Sequence, residues 1–204
     1  MRAPAKLYLA SSNPGKLGEF RALAGAAAPS IRVALELVPA FDELPSFDEN
    51  ASTFAENAAG KALYYSRLHG GMVFADDSGL VVPALGGAPG VHSARYAGPD
   101  ATNAARIEKL LGELRGTTRN KRAAYFVCAI ALAEKGRAIA VVTDRVDGEI
   151  LESPRGTGGF GYDPVFYIPA LKKTFAELSA EEKNRLSHRG KAFRRLLGAL
   201  SSML

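Results

Sequence analysis

Two adjacent carboxylates, Asp76 and Asp77, follow a short apolar run and precede Ser78 and Gly79. Neighbouring carboxylates repel each other unless a cation neutralises them, and Mg²⁺ prefers one or two carboxylates together with substrate phosphate oxygens. The same four residues are also typical of a plain turn. The pattern therefore leaves two interpretations open, a metal site at the end of a strand or a simple turn.

A second candidate site is the segment SSNPGK at residues 11–16, which connects a predicted strand to a predicted helix. The start of a helix presents free backbone N–H groups and the positive end of the helix dipole, and both favour a bound phosphate. Lys16 adds a positive charge there. The spacing of a Walker P-loop is absent, and a capped turn with proline in the first helical turn would explain the same residues. Phosphate binding and plain capping both stay open.

A third candidate is the segment GTGGFG at residues 156–161, which formally matches the dinucleotide-binding pattern G-x-G-x-x-G. Pro164 and an apolar run follow it instead of a helix, which excludes the Rossmann interpretation. A glycine loop that carries Phe160, Tyr162 and Asp163 is better suited to a flat ring, because an aromatic side chain stacks on a base and a carboxylate binds its edge. We therefore predict a base-binding loop.

The fourth candidate is the pair His188 and Arg189, which follows Ser187 at the start of the last predicted helix. Cations are unfavourable at the positive end of a helix dipole, so their presence suggests an anionic or oxygen-rich ligand. The guanidinium of Arg189 can bind two acceptors on the edge of a purine, and Lys183 would join the same basic group. Ser187 also fits an ordinary helix N-cap, which is the alternative explanation for this segment.

The elements that position these segments are predicted from hydrophobic periodicity. Helices are expected from Lys16 onward and at residues 53–69, 102–114 and 187–200. Strands are expected at residues 6–10, 31–38, 72–75, 80–85, 123–133, 138–144, 146–151 and 164–168. Long strands that are separated by helices indicate an α/β protein with a mixed, twisted sheet and flanking helices.

Length and composition are typical of a single globular domain, which we assign to residues 1–204. The chain has 204 residues, of which 47% are hydrophobic and 23% charged. No apolar run reaches about 18 residues, so we expect no membrane-spanning helix, and the first ten residues are typical of a strand rather than a signal peptide. The single cysteine, Cys128, excludes a disulfide framework and a cysteine-based zinc site.

The net charge of +5 is distributed unevenly along the chain. Residues 1–100 hold 8 Lys and Arg against 10 Asp and Glu, whereas residues 101–204 hold 18 against 11. A basic balance indicates a polyanionic partner, either nucleic acid or a small phosphate compound. We interpret the basic connection at residues 115–122 as solvated surface.

In their order along the chain, the four segments resemble the inosine triphosphate pyrophosphatase family, whose bacterial members are the dITP/XTP pyrophosphatases. The matching stretches are LYLASSNPGKLGEF, STFAENAAGKA, FADDSGLVVPALGGAPGVHSARYAG, GTGGFGYDPVF and LSAEEKNRLSHRGKA. The resemblance implies an elongated, two-lobed single domain with a central cleft, usually a homodimer, and a cytoplasmic enzyme that uses Mg²⁺. Ser12 departs from the family, which usually has glycine there.

The resemblance also implies roles for individual residues. Those that would bind the triphosphate are Ser11, Ser12, Asn13, Pro14, Gly15, Lys16 and Lys61. Those that would hold the metal are Asp77 and Glu49, with Asp48 as the alternative to Glu49, and Asp77 would also be the proton acceptor. Ser78 would contact the substrate, and the residues that would recognise the base are Phe160, Gly161, Tyr162, Asp163, Lys183, His188 and Arg189.

The predicted activity is hydrolysis of the non-canonical purine triphosphates dITP, ITP and XTP to monophosphate and pyrophosphate. The residue types support it independently, because a triphosphate requires cations and phosphoryl transfer depends mainly on positioning and charge neutralisation. The alternatives are a pyrophosphatase for pyrimidine triphosphates and a basic nucleic-acid-binding module without catalysis. A pure binding module would not need Asp76, Asp77 and Glu49, so we expect no nucleic-acid or membrane partner.

Overall fold

The computed structural model describes residues 4–12, 14–26 and 32–203, and within these ranges the chain forms strands, α-helices and short 3₁₀ turns. The strands are β1 Ala5–Leu9, β2 Val33–Leu37, β3 Met72–Val81, β4 Ala123–Glu134, β5 Arg137–Ile150, β6 Phe166–Ile168 and β7 Lys173–Thr174. The helices are α1 Pro14–Ala26, α2 Phe54–His69, α3 Asn103–Glu113, α4 Ala180–Leu186 and α5 His188–Ser201.

The strands form one sheet in the order β2-β1-β3-β4-β5-β6-β7. Strand β1 is parallel to both β2 and β3, whereas β6 is antiparallel to both β5 and β7. Parallel neighbours require a crossover connection, and α1 and α2 lie in the connections that join β1, β2 and β3. The prediction of an α/β fold with a mixed sheet and flanking helices is confirmed, while the elongated shape and the central cleft stay predictions.

The described residues divide into two compact units. Unit 1 contains the residues up to 77, residues 128–144 and those from 189 onward, and unit 2 contains residues 78–127 and 145–188. Each unit has apolar clusters of its own. The assignment of a single domain to residues 1–204 stays a prediction.

Unit 1 has an apolar cluster on each face of its sheet. On β4, Cys128 and Ile130 belong to the cluster that includes α1 and α5, whereas Ala129 and Ala131 belong to the cluster that includes α2. Successive side chains of a strand point to opposite faces, which explains why a continuously apolar run is needed here. The sheet of unit 1 is therefore covered by α1 and α5 on one face and by α2 on the other.

Unit 2 is organised around aromatic rings. The rings of Phe126 and Phe166 lie 4.6 Å apart, those of Phe166 and Phe175 lie 5.0 Å apart, and Ile107 and Leu110 of α3 belong to the same cluster. Helix α3 begins after Thr102, whose side chain accepts a hydrogen bond from the N–H of Ala105, as is usual for an N-cap.

One strand prediction is wrong. Residues 72–75 and 80–85 were expected as separate strands, but β3 continues through the polar residues between them. The strand expected at residues 146–151 continues the one expected at 138–144, and both belong to β5, which ends at Ile150. Polar residues do not interrupt a strand when their side chains find partners and the backbone stays in the sheet. Residues 83–85 form a 3₁₀ turn instead, because Pro83 has no N–H to donate to a neighbouring strand.

The basic connection at residues 115–122 is only partly solvated, because Arg122 is 4% exposed. Its Nε donates to the carbonyl of Ile150 at 2.7 Å, its Nη1 to that of Leu114 at 2.9 Å and its Nη2 to that of Leu151 at 2.9 Å. The guanidinium has donors in several directions, so one side chain satisfies three carbonyls of unit 2. The interpretation of Arg122 as solvated surface is therefore wrong.

None of the helices in the described ranges combines the length and the apolar character that a bilayer crossing demands.

Candidate active site

Asp76 and Asp77 lie within β3 rather than in a turn or at the end of a strand. Successive side chains of a strand point to opposite faces, so the two carboxylates are directed to different helices. By this alternation Asp76 shares the face of Phe74, in the cluster of α1 and α5, and Asp77 shares the face of Ala75, in the cluster of α2. The repulsion expected between the adjacent carboxylates is therefore relieved by geometry as well as by cations.

Asp76 is 2% exposed and is neutralised by two cations of unit 1. Lys16 Nζ lies 3.0 Å from Oδ1, and Arg189 Nε lies 3.3 Å from Oδ2. Burial alone would raise the pKa of the Asp76 carboxyl, but Lys16 and Arg189 outweigh burial and hold the pKa well below its ordinary value. Asp76 is therefore ionised at neutral pH and fixes the position of both cations.

Arg189, at the start of α5, is buried and contacts a second carboxylate. Its Nη1 lies 2.6 Å from Oε2 of Glu19 on α1. Burial would lower the pKa of the guanidinium, but Asp76 and Glu19 raise it above its ordinary value. Glu19 was not predicted from the sequence, although it lies three residues after Lys16 and thus on the same side of α1.

Asp77 is held by a buried amide that was also not predicted. Asn57 of α2 is 2% exposed, and its Nδ2 donates to Oδ2 of Asp77 at 3.0 Å. Its Oδ1 accepts from the N–H of Ala51 at 2.9 Å. One side chain thus connects β3 to the acidic loop at residues 42–51.

The acidic loop lies along α2 through several further contacts. Lys61, one helical turn after Asn57, forms an ion pair with Glu49. The hydroxyl of Tyr65 donates to the carbonyl of Pro45 at 3.2 Å. Because Gly60 has no side chain, the ring of Phe47 can approach the helix; a Cβ at position 60 would come within 2.6 Å of that ring. Glu49 is therefore the acidic-loop carboxylate that contacts the predicted phosphate-binding lysine.

The segment at residues 11–16 connects β1 to α1, as the sequence predicted. Ser11 is buried and its N–H donates to the carbonyl of Leu9, whereas Ser12 and Gly15 are exposed. The helix begins at Pro14, where a missing N–H costs no hydrogen bond. Asn13 lies outside the described residues.

The glycine loop of unit 2 is fixed by Asp163, which is 3% exposed. Its Oδ2 accepts from the N–H of Phe160 at 2.7 Å and forms an ion pair with Lys183 of α4. The Lys183 ammonium lies 4.5 Å from the centre of the Phe160 ring. Gly159 has a φ of +73°, and a Cβ there would collide with the Asp163 carboxylate, so this position requires glycine.

The two aromatic residues of the loop differ in exposure. Phe160 is 54% exposed, whereas Tyr162 is 3% exposed and its hydroxyl donates to the carbonyl of Ser93 at 3.0 Å. Burial raises the pKa of Tyr162 to about 12, so the hydroxyl keeps its proton at neutral pH. Gly161, between them, has a φ of +61°. The structure therefore presents the Phe160 ring to solvent and anchors the loop through Tyr162.

His188 of unit 2 is also held by an aromatic ring. Its imidazole is stacked on Phe126, with ring centres 4.9 Å apart and an angle of 10° between the planes. Ser187 lies between α4 and α5, and its N–H donates to the carbonyl of Lys183 at 2.8 Å. Ser78 is partly buried within β3.

The predicted site residues thus fall into two sets, one in each unit. In unit 1, Lys16 and Arg189 contact Asp76 on the face of the sheet that α1 and α5 cover. On the face that α2 covers, Lys61 of α2 contacts Glu49, and Asn57 of α2 contacts Asp77. The set of unit 2 brings together Phe160, Asp163 and Lys183. In residues 4–12, 14–26 and 32–203, no three His, Cys, Asp or Glu side chains form a metal-binding group.

Comparison with known proteins gives the same identification along most of the chain. The Ham1 family model matches residues 7–199. The chain is 52% identical over 191 residues to a protein of Geobacillus kaustophilus named dITP/XTP pyrophosphatase, covering 94% of this chain and 92% of that protein. It is 48% identical over 203 residues to a protein of the same name from Acidobacterium capsulatum, covering 95% and 97%.

Solved structures agree with the sequence relatives. A HAM1 protein from Coxiella burnetii superposes with a TM-score of 0.87 at 41% identity, covering 97% of this chain and 99% of that chain. The Ham1 protein of Staphylococcus aureus superposes with a TM-score of 0.85 at 40% identity, covering 98% and 100%. With its family model, its relatives and its fold in agreement, the chain belongs to the Ham1 family.

Proposed function

We propose that this protein hydrolyses non-canonical purine nucleoside triphosphates, dITP, ITP and XTP, to the monophosphate and pyrophosphate. The observation that carries the proposal is that the two adjacent carboxylates of β3 have different partners. Asp76 is buried and paired with Lys16 and Arg189, whereas Asp77 accepts a hydrogen bond from the neutral amide of Asn57. The names of the relatives, dITP/XTP pyrophosphatase, support the same activity.

The triphosphate would be bound by the residues 11–16 and by Lys61. The start of α1 offers backbone N–H groups to phosphate oxygens, and Lys16 and Lys61 offer charge. Both lysines are ion-paired with carboxylates, which keeps each ammonium in place before the substrate arrives. Preorganised cations of this kind stabilise the charge that develops during phosphoryl transfer.

A divalent metal, which we propose to be Mg²⁺, would be held by Asp77 and Glu49 together with phosphate oxygens. Mg²⁺ is commonly bound by one or two carboxylates and substrate phosphates, so the donor set fits without a group of three protein ligands. Asp48 is the alternative to Glu49, although Glu49 is the residue that contacts Lys61. When bound, the metal would polarise the phosphate and neutralise its charge.

Asp77 would also accept the proton of the attacking water. The oxygen of the water forms a bond to the α-phosphorus, the bond from that phosphorus to the oxygen bridging the α and β phosphates breaks, and pyrophosphate leaves. The proton passes to the Asp77 carboxylate. The hydrogen bond from Asn57 fixes one carboxylate oxygen and thereby the orientation of the group.

The base would be recognised by residues 160–163 with Lys183, His188 and Arg189, and Ser78 would contact the substrate. Phe160 presents an exposed ring for stacking, and Asp163 and Lys183 hold that ring in place. A protein donor can bind the 6-oxo group of inosine or xanthine, but it has no acceptor when a 6-amino group, as in adenine, takes that place. Each lost hydrogen bond costs about 1–3 kcal/mol of binding free energy. We propose Arg189 as that donor.

Replacing Phe160 with alanine is expected to raise the KM for ITP about tenfold and to leave the melting temperature within about 2 °C of the wild type. Stacking of a base on an aromatic ring is worth about 1–3 kcal/mol, and the ring is half exposed, so the fold depends little on it. Steady-state kinetics and thermal unfolding measure both effects. Leu171→Ala removes another exposed apolar side chain of unit 2 and serves as the control. An unchanged KM would contradict the stacking role.

The experiment that tests the function is pyrophosphate release from ITP, XTP, dITP, ATP, GTP and UTP, with and without Mg²⁺. We expect rapid release from the first three only, and only with Mg²⁺. Preferential release from UTP would favour the pyrimidine pyrophosphatase. The absence of release from every triphosphate, together with salt-dependent binding of DNA or RNA, would favour the nucleic-acid-binding module.

The resemblance to the family further supports a cytoplasmic homodimer, which we propose for this protein. Analytical ultracentrifugation is expected to give a species of twice the chain mass of 21.6 kDa. A single species of 21.6 kDa would contradict the dimer without affecting the proposed activity.

A further inference from the structure

The amide of Asn57 connects one predicted metal ligand, Asp77, to the loop that carries the other, Glu49. Its Nδ2 donates to the Asp77 carboxylate at 3.0 Å, and its Oδ1 accepts from the N–H of Ala51, two residues after Glu49, at 2.9 Å. Both contacts lie within unit 1, and the Asn57 side chain is 2% exposed. Water therefore competes little for either hydrogen bond.

The orientation of this amide is fixed by its partners. The carboxylate requires a donor and the backbone N–H requires an acceptor, so only the observed orientation satisfies both. A carboxylate at position 57 would lose the donor, and an alkyl side chain would lose both groups. The asparagine side chain is thus matched in length and polarity to its two partners.

The contact with Ala51 acts at one end of a loop that lies along α2. The loop is attached through Pro45 to Tyr65, through Glu49 to Lys61 and through Ala51 to Asn57. Ala51, the loop partner of Asn57, lies two residues after Glu49, and Asn57 also contacts β3 through Asp77.

We propose that Asn57 is a positioning residue that sets the separation of Glu49 and Asp77 and thereby the affinity for the divalent metal. The proposal rests on the proposed function for the identity of the two ligands. Groups that hydrogen-bond to metal ligands orient them, and their loss typically lowers metal affinity or activity by about 10- to 100-fold. A purely structural residue would lower stability without changing metal affinity.

The test compares Asn57→Ala with Ser66→Ala. Ser66 lies nine residues further along α2, about 13 Å away by the helix rise, is fully buried and accepts from the N–H of Gly136 at 2.9 Å. The two variants therefore remove comparable buried hydrogen bonds from the same helix. Asn57→Ser, whose hydroxyl is too short to reach both partners, is the second variant in case Asn57→Ala does not fold.

The readout is Mn²⁺ binding in the presence of pyrophosphate, followed by the EPR signal of free Mn²⁺. We expect the Kd for Mn²⁺ to rise about tenfold in Asn57→Ala and to stay within twofold of the wild type in Ser66→Ala. In ITP hydrolysis, the half-saturating Mg²⁺ concentration should rise about tenfold in Asn57→Ala, while the KM for ITP at saturating Mg²⁺ stays within threefold.

An unchanged Kd for Mn²⁺ in folded Asn57→Ala or Asn57→Ser would overturn the positioning role. Failure of the wild-type protein to bind Mn²⁺ with pyrophosphate would overturn it as well. If the wild type binds Mn²⁺ but releases pyrophosphate from no triphosphate, the proposed function fails while the Mn²⁺ comparison still decides the role of Asn57.

Discussion

Replacing Asp77 with asparagine is expected to lower kcat for ITP hydrolysis by at least about a thousandfold. The variant loses the proton acceptor, a contribution of about 10²- to 10⁴-fold in general base catalysis, and one charged metal ligand. The fold should persist, because the amide oxygen of the substituted side chain can still accept the hydrogen bond from Asn57 Nδ2. Pyrophosphate release at saturating Mg²⁺ measures the loss, and thermal unfolding checks the fold.

Asp147→Asn is the control for this substitution. Asp147 lies on β5 with a side chain that is 69% exposed, and its Oδ1 lies 3.3 Å from Nε of Arg145. Removing the same charge there should leave kcat within twofold, since exposed ion pairs contribute little. If Asp77→Asn retained more than a tenth of the wild-type kcat, Asp77 would not be the proton acceptor.

Replacing Arg189 with alanine is expected to lower the free energy of unfolding by about 3 kcal/mol. The substitution removes one cation from buried Asp76, and breaking a buried ion pair from one side typically costs about 3–5 kcal/mol. The lower end applies because Lys16 still contacts Asp76 at 3.0 Å. For a chain of this length the melting temperature should fall by about 6–12 °C.

Arg195→Ala provides a matched control on the same helix. Arg195 is also ion-paired, with its Nε 2.6 Å from Oδ2 of Asp144, but its side chain is 65% exposed. Its loss should change the free energy of unfolding by less than about 1 kcal/mol. Equal destabilisation by both substitutions would show that burial of Arg189 does not matter.

The same Arg189→Ala variant tests the proposed recognition of the purine base by Arg189. We expect the ratio of kcat/KM for ITP to that for ATP to fall at least tenfold, in line with the loss of one charged hydrogen bond. Measurement at a temperature where the variant is folded separates this effect from stability. A preserved preference for ITP would leave Arg189 with only its structural contacts to Asp76 and Glu19.

Local features of the fold followed directly from the sequence. A helix was predicted over residues 53–69, and α2 begins at Phe54, directly after its N-cap Thr53, whose side chain accepts from the N–H of Glu56. The connection from β1 to α1 and the absence of a helix after the glycine loop were also predicted correctly. These signals depend on neighbouring residues, so one stretch of sequence is sufficient to identify them.

The continuity of β3 was not predictable from the same kind of signal. Asp76, Asp77, Ser78 and Gly79 have the composition of a turn, and intrinsic preference favoured a break. Partners distant in the sequence keep the strand intact: Arg189 for Asp76 and Asn57 for Asp77. Tertiary contacts therefore overrode local preference at the candidate site.

By themselves, the types and order of the charged and aromatic residues predicted a phosphate substrate, a metal and a flat base. Only the tertiary structure decided which partners each β3 carboxylate contacts, because the side chains of adjacent residues in β3 point to opposite faces of the sheet. One face joins Asp76 to Lys16 and Arg189, and the other joins Asp77 to Asn57. Residues 113 positions apart, such as Asp76 and Arg189, can be paired only once the sheet and its helices have formed.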